Sequence, residues 1–294
     1  MKHNQKLTGY LLIILSALCF SLMGIISSFL FKSGIKTYDL IIMQNAVQAL
    51  FLGIFYLLTD SNKLKISIDD FKTIGLQGLF ASTPVAVLYF IAIQRTNVSI
   101  ACLLLFTNPI FVTLYFTIFE KRKSSVVKVS AVIVTFIGSM LVLNITPESF
   151  SHVDMIGIAA GILSSISYAF YNVYADKKLK DYSPGIILFY CTIIVFVIIS
   201  LINIGFYTRL NELDFSLLKF TVPLSAITNT LPVVLLYTGI RKIGSQAASI
   251  VATGEVPLTL LLSFIILNEK LNMTQLFGSV LVIGAILTLT ILKE

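Results

Sequence analysis

A carboxylate, Glu255, stands in the interior of a long apolar run, with Gly254 before it and Pro257 two positions after it. Proline has no amide hydrogen, and inside a helix it frees the carbonyl four residues back, here that of Thr253, so this stretch is expected to open and be polar. Two chemistries suit such an acid. It can meet a cationic group on a bound solute, or it can alternate between protonated and ionised forms and so couple movement of a solute to protons. The competing reading is a structural acid, hydrogen-bonded to a neighbouring helix. One hundred and forty-eight residues before Glu255 and Pro257 the chain reads Thr107-Asn108-Pro109, a prolyl break without the acid. Asn108 either lines the same space as Glu255 or caps the Leu105 carbonyl that Pro109 frees.

Tyr168, Tyr171 and Asn172 fall at i, i+3 and i+4 and share one helical face. Two phenols and an amide could form a wall that receives a cation against the ring faces, or they could simply pack. Tyr89 and Tyr237 are also 148 residues apart, each five positions after a proline, Pro84 and Pro232, and Asn229 lies one turn before Pro232. These are the candidate substrate contacts: Glu255, Asn108, Tyr168, Tyr171, Asn172, Tyr89, Tyr237 and Asn229, with Glu255 also the candidate coupling site. Gly157, Gly161 and Ser165 have the spacing of a close helix contact. Tyr174 and Tyr182 are expected to be interfacial anchors, since the chain has no Trp. Glu120 and Glu269, beside Lys121 and Lys270, are expected to form interfacial ion pairs or caps.

The absences also limit the chemistry. There is no HExxH, P-loop or GxSxG, and the two histidines, His3 and His152, lie outside the apolar runs. The three cysteines, Cys19, Cys102 and Cys191, are far apart inside apolar runs and form neither a disulfide framework nor a metal-ligand spacing. No metal and no cofactor are expected. No Lys or Arg lies deep in a run, which argues against phosphorylated substrates that need a fixed cation.

These residues must be positioned by membrane helices. Of 294 residues, 57% are hydrophobic and 12% charged, with a mean hydropathy of +0.95, which excludes a soluble globular domain. Apolar stretches of about twenty residues recur, the length a helix needs to cross some 30 Å of hydrocarbon, without the ten-residue alternation of an outer-membrane barrel. Breaks divide them into ten expected spans: 9–31, 38–58, 72–94, 98–119, 125–144, 153–175, 184–206, 217–240, 245–267 and 273–292. The first follows a short basic segment and runs to about Phe31 with no small-x-small cleavage site, so it is expected to be a retained span rather than a leader. The net charge of +7 sits in short connections and orients the chain in the bilayer rather than binding nucleic acid. Fifteen of the 21 Lys and Arg fall on one side, at Lys2 and Lys6 and in the segments near 63–72, 121–128, 177–180, 241–242 and at Lys293. The positive-inside rule then places both termini in the cytoplasm and the Thr146–Ser151 connection outside.

At the offset of 148, Gly9 aligns with Gly157, Ile14-Leu15-Ser16 with Ile162-Leu163-Ser164, Tyr89 with Tyr237 and Pro109 with Pro257, and after a one-residue slip Glu120-Lys121 aligns with Glu269-Lys270. A shared offset over a whole half indicates duplication. Five spans per half is an odd number, so the second copy must enter the membrane from the opposite face, and repeats of this kind hold substrate near the midplane. On these features, and on Glu255-Val256-Pro257 followed by Leu267-Asn268-Glu269-Lys270-Leu271 with Gly278 and Gly284, the chain resembles the ten-span EamA-type members of the drug/metabolite transporter superfamily. The resemblance covers essentially the whole chain. It implies transport of small organic metabolites through a central cavity by alternating access. Where such proteins often carry an Arg in span two, this sequence reads Gln44-Asn45, so substrate assignments made through that Arg do not transfer.

The expectation is therefore an all-α polytopic protein of the cytoplasmic membrane, with halves 1–147 and 148–294 as inverted five-helix repeats. It is expected to be a secondary transporter of amino acids, organic amines or related neutral or cationic solutes, with protons as the candidate coupling ion, acting as a monomer or homodimer. An uncoupled facilitator or exchanger with a structural Glu255 is the alternative within transport, and an intramembrane enzyme or receptor is the alternative outside it.

Overall fold

Proline, glycine and capping side chains decide where the apolar runs start and break. A computed structural model describes residues 2–32, 36–150, 153–212 and 215–291; His152 and Lys293 lie outside them. Thirteen α-helices are found among the described residues, and no strand. In chain order they are α1 (Lys2–Lys32), α2 (Thr37–Thr59), α3 (Ile68–Gln77), α4 (Thr83–Arg95), α5 (Val98–Leu105), α6 (Asn108–Ile118), α7 (Val126–Val142), α8 (Met155–Lys178), α9 (Pro184–Ile202), α10 (Phe215–Ile243), α11 (Ser245–Ala252), α12 (Glu255–Leu267) and α13 (Met273–Ile291). Joined across their interruptions, they give eight helical stretches long and apolar enough to span a membrane, and α7 is a shorter apolar helix. Leu58, Val126 and Met273 are more than four-fifths exposed. A surface this apolar needs hydrocarbon rather than water around it.

Side-chain caps satisfy the free amides of several first turns. Ser67 and Asp70 form a reciprocal capping box on α3, Asn97 accepts the Ile100 amide at 2.9 Å on α5, and Asp154 accepts the Ile156 amide at 2.9 Å on α8. That amide, together with Arg95 Nη1 at 2.9 Å, holds the Asp154 carboxyl below the usual carboxylate range. Three runs are interrupted. Between α3 and α4 the residues Gly78–Ser82 form a π-turn, in which the Thr83 amide reaches back to the Gly78 carbonyl just ahead of Pro84. The widened turn absorbs the missing proline donor, and the sequence reading did not foresee it. Pro232, the repeat-related proline, lies instead inside the continuous helix α10. Pro84 and Pro232 are therefore not equivalent kinks.

Packing pairs the helices in a pattern that recurs when the two halves are exchanged. Helix α1 packs on α10, α11 and α12, while α8 packs on α4, α5 and α6; α2 packs on α9, and α7 on α13. Individual contacts repeat as well. A Cβ on Gly9 would meet Ile243 at 2.5 Å and one on Gly157 would meet Arg95 at 2.6 Å, and both glycines and both partners are 148 residues apart. Ser16 donates to the Pro232 carbonyl at 2.7 Å, and Ser164, 148 residues later, to the Val85 carbonyl at 3.2 Å. The close approach expected of Gly157, Gly161 and Ser165 is present: Gly161 lies against Leu104, and Ser165 reaches Thr107 and the Leu105 carbonyl.

Tyr10 donates to the Leu289 carbonyl at 3.5 Å, which places the start of α1 and the end of α13 at one end of the bundle, here called the basal end. The largest hydrophobic cluster gathers there. It includes Ile13, Leu52, Tyr56, Ile74, Leu179, Ile186, Ile240 and Ile250, drawn from both halves of the chain.

Candidate functional site

The two helix breaks shape the site. Helix α5 stops at Leu105 and α6 begins at Asn108; α11 stops at Ala252 and α12 begins at Glu255. The turns close alike: Thr107 Oγ1 donates to the Leu104 carbonyl and Thr253 Oγ1 to the Ile250 carbonyl, both at 2.6 Å. The Ile110 amide reaches the Thr107 carbonyl at 2.9 Å, and the Val256 amide the Thr253 carbonyl at 3.1 Å. Two expectations need correction here. The Thr253 carbonyl is not left open by Pro257, because the turn itself fills it. The hydrogen-bonding counterpart of Thr107 is Thr253 rather than Glu255, since the turn hydrogen bonds match at a spacing of 146 and the helix ends at 147, while the prolines match at 148. Pro109 and Pro257 sit in the first turns of α6 and α12, where a missing amide hydrogen costs little.

Glu255 is the first residue of α12, so its carboxylate lies at the N-terminal, positive end of that helix dipole. It is half-buried. Among the described residues its carboxylate has no hydrogen bond and no ion pair, while its backbone carbonyl accepts from Ser21 at 3.1 Å and Thr259 at 2.8 Å. Tyr89, Cys102 and Tyr168 are close enough to feel its charge. Tyr89 Oη and Cys102 Sγ are 3.0 Å apart, which joins the phenol of α4 to the thiol of α5 within range of the Glu255 charge.

The remaining candidates are arranged differently. The ring centroids of Tyr168 and Tyr171 are 5.9 Å apart and those of Tyr171 and Tyr237 are 5.3 Å apart, so the tyrosines form a ladder leading from Glu255 into the basal cluster. Tyr171 and Tyr237 are buried, and Gln77 ties them together by donating to the Tyr171 carbonyl at 3.1 Å and to Tyr237 Oη at 3.0 Å. Asn172 donates to the Tyr168 carbonyl at 3.0 Å and Asn108 to the Leu105 carbonyl at 3.1 Å. Both amides therefore serve their own helices, and each keeps a buried Oδ1 with no hydrogen-bond partner among the described residues. For Asn108 this is the capping role weighed from the sequence. Asn229 is half-buried on α10, next to Thr230.

Sequence reasoning missed Gln77, Cys102 and a buried bridge in which Gln48 donates to Thr230 Oγ1 and accepts from Thr192 Oγ1, both at 3.0 Å, joining α2, α10 and α9. The signal was present: Gln44, Asn45 and Gln48 are three amides within five residues of an apolar run, and polar groups in hydrocarbon have to find partners.

The basal end is closed by polar contacts, some within residues 148–294 and some crossing to residues 1–147. Asp176 of α8 accepts the Ser245 amide and hydroxyl, both at 3.1 Å, and so caps α11 from a separate helix of the same half, in contrast to α5, which is capped by its own Asn97. Arg241 donates to the carbonyls of Leu179 and Tyr182, and Gln246 to Ser124 Oγ at 2.9 Å. Glu120 pairs with Lys177 and with Arg122 Nε at 3.1 Å, not with the adjacent Lys121. Glu269 makes no ion pair among the described residues. Tyr174 and Tyr182 donate to the Thr73 carbonyl and to Asp70 Oδ1, which ties down the end of α8.

The model of the EamA-like transporter family matches residues 7–144 and again 155–291. An uncharacterised transporter of Bacillus subtilis strain 168 is 24% identical over 98% of this chain and 92% of its own length. An uncharacterised transporter of Archaeoglobus fulgidus is 28% identical over 95% of both chains. A solved crystal structure superposes with a TM-score of 0.74 over 97% of this chain and 96% of the other at 13% identity, which shows a shared fold.

Proposed function

Because the chain belongs to the EamA-like transporter family and is a multi-pass membrane transporter, we propose that it carries a small organic solute bearing an amino or quaternary ammonium group, with Glu255 as its cation or proton site. The observation that carries this reading is the half-buried Glu255 carboxylate at the start of α12, without a partner among the described residues and with Tyr89 and Tyr168 within range of its charge. A half-buried acid in a membrane helix with no base paired to it favours a cationic group, and a phenol face adds roughly 1–2 kcal/mol when desolvated. Asn108, Asn172, Tyr171 and Tyr237 then serve as supports: the two amides hold carbonyls of their own helices and the two lower tyrosines close the floor.

Alternating access follows from treating residues 1–147 and 148–294 as inverted repeats of five spans each. Support comes from the helix contacts that recur on exchanging halves, from the paired Gly9 and Gly157 approaches, and from the family match falling twice. Rocking one half against the other would open and re-form the Glu120–Lys177 and Ser124–Gln246 contacts at the basal end. With fifteen basic residues of 21 on that side, the basal end and both termini are assigned to the cytoplasm of the cell membrane. A cysteine at Ser149 is expected to react with a membrane-impermeant maleimide in intact cells, above the background of the parent protein. Reaction only after the cells are opened would reverse the assignment.

Reconstituted protein tests the substrate class. Amines and amino acids are expected to stabilise the purified protein against heating and to compete for uptake, since a ligand of the folded state raises its melting temperature. If purely anionic metabolites compete and amines fail to, the charge argument is wrong.

A further inference from the structure

A groove of about 390 Å³ lies between α6 and α8, and neither Glu255 nor Tyr89, Cys102 or Tyr168 lines it. The volume is within the range of pockets that hold a small ligand, roughly 300–1,000 Å³. Its walls are apolar and aromatic: Tyr115 and Phe119 stack at 5.5 Å on one side, and Phe170 and Tyr174 pair at 5.1 Å on the other. Its basal mouth carries Lys177 and Lys178.

The charges at that mouth are unbalanced. Lys177 pairs with Glu120 and lies 5.0 Å over the Phe116 ring, and Glu120 is also held by Arg122. Lys178 is exposed and has no ion pair with any described residue. Three cations therefore face one carboxylate at the end of an apolar slot. The slot opens sideways into the region where Ile118, Phe119 and Phe170 present their surfaces to hydrocarbon.

We propose that this groove is a binding site for an anionic phospholipid, with an acyl chain lying between α6 and α8 and the phosphate on Lys178 and Lys177. The occupant follows from the two halves of the site: a laterally open aromatic slot takes an acyl chain, and an excess of lysines at the depth of the headgroups takes a phosphate that carries net negative charge. A zwitterionic lipid would satisfy the slot and leave the excess charge unmatched. The site is independent of the substrate reading, since none of its residues belongs to the Glu255 group.

Native mass spectrometry of detergent-purified full-length protein, offered equal amounts of phosphatidylglycerol and phosphatidylcholine of the same chain length, tests it. One phosphatidylglycerol is expected to be retained in preference. A lysine near an anionic phosphate is worth about a fivefold change in binding, so Lys178→Glu is expected to lower phosphatidylglycerol retention at least that much and leave phosphatidylcholine unchanged, whereas Lys178→Arg retains the preference. Lys178 is exposed, so neither change disturbs the core. Soluble glycerol 3-phosphate is expected not to displace the lipid. Equal retention of the two lipids, an unchanged preference in Lys178→Glu, displacement by glycerol 3-phosphate, or a dimer whose formation excludes the lipid would each overturn the proposal.

Discussion

Glu255→Gln is expected to lower solute uptake into proteoliposomes roughly tenfold or more, the loss that follows when a buried charged contact becomes a neutral one, while the protein still folds and elutes as a single species. Glutamine keeps the length of the side chain and one carbonyl oxygen, and no hydrogen bond or ion pair of the carboxylate with a described residue is lost. The backbone carbonyl contacts with Ser21 and Thr259 do not depend on the side chain. A coupling role adds a second, separable result. Wild-type uptake would vary with pH as the carboxylate takes up and releases its proton, and the variant would not, because an amide does not titrate in this range. A variant that transports at the wild-type rate with the same pH profile would reduce Glu255 to a structural residue. Loss of rate with the pH profile retained would keep the contact with a cationic solute and remove the proton.

Gly278→Ala and Gly284→Ala are expected to shift thermal stability in opposite directions, although both residues lie on α13 and differ from alanine by one methyl. A Cβ on Gly278 would sit 2.6 Å from the Gly138 carbonyl oxygen, 2.7 Å from Leu141 Cβ and 2.8 Å from the Val142 amide nitrogen. Two of these atoms are backbone, and none can rotate aside, so α7 and α13 would have to separate along their contact. Forcing a methyl into a packed contact costs about 1–3 kcal/mol, sometimes more. The reciprocal approach of Gly138, 2.9 Å from the Gly278 oxygen, shows that the two glycines form one crossing point. A Cβ on Gly284 meets nothing within 4 Å, and there alanine gains about 0.5–1 kcal/mol from its better helix propensity. Melting of each variant in the same detergent decides it; a Gly278→Ala protein as stable as Gly284→Ala would mean that the crossing is looser than described.

Much of the architecture was legible because the bilayer imposes strong one-dimensional rules. Span length, the placement of Lys and Arg and the obligation to satisfy every backbone group together leave helices as the solution for this composition. Where the two broken helices break was also readable, since Pro109 and Pro257 mark the ends of α5 and α11 to within a few residues. The widened turn at Gly78–Ser82 was not, because Pro84 and Pro232 look alike in sequence and only the packing around each determines whether the helix widens or runs through.

Sequence alone determined that this is an all-helical membrane transporter of the EamA type, with an acid at the break of one half and an amide at the break of the other. Tertiary structure alone decided which partner each polar side chain meets. Asn108 turns back to its own Leu105 carbonyl, Glu120 crosses to Lys177 of the other half, Asp176 of α8 caps the distant helix α11, and Gln77 bridges two tyrosines. Hydropathy and spacing run along the chain, but partner choice depends on how each helix is rotated about its own axis. One residue turns a helix by about 100°, so the side-chain volumes at crossings such as Gly138–Gly278 and Gly161–Leu104 set that rotation, and no rule read along a single helix contains them.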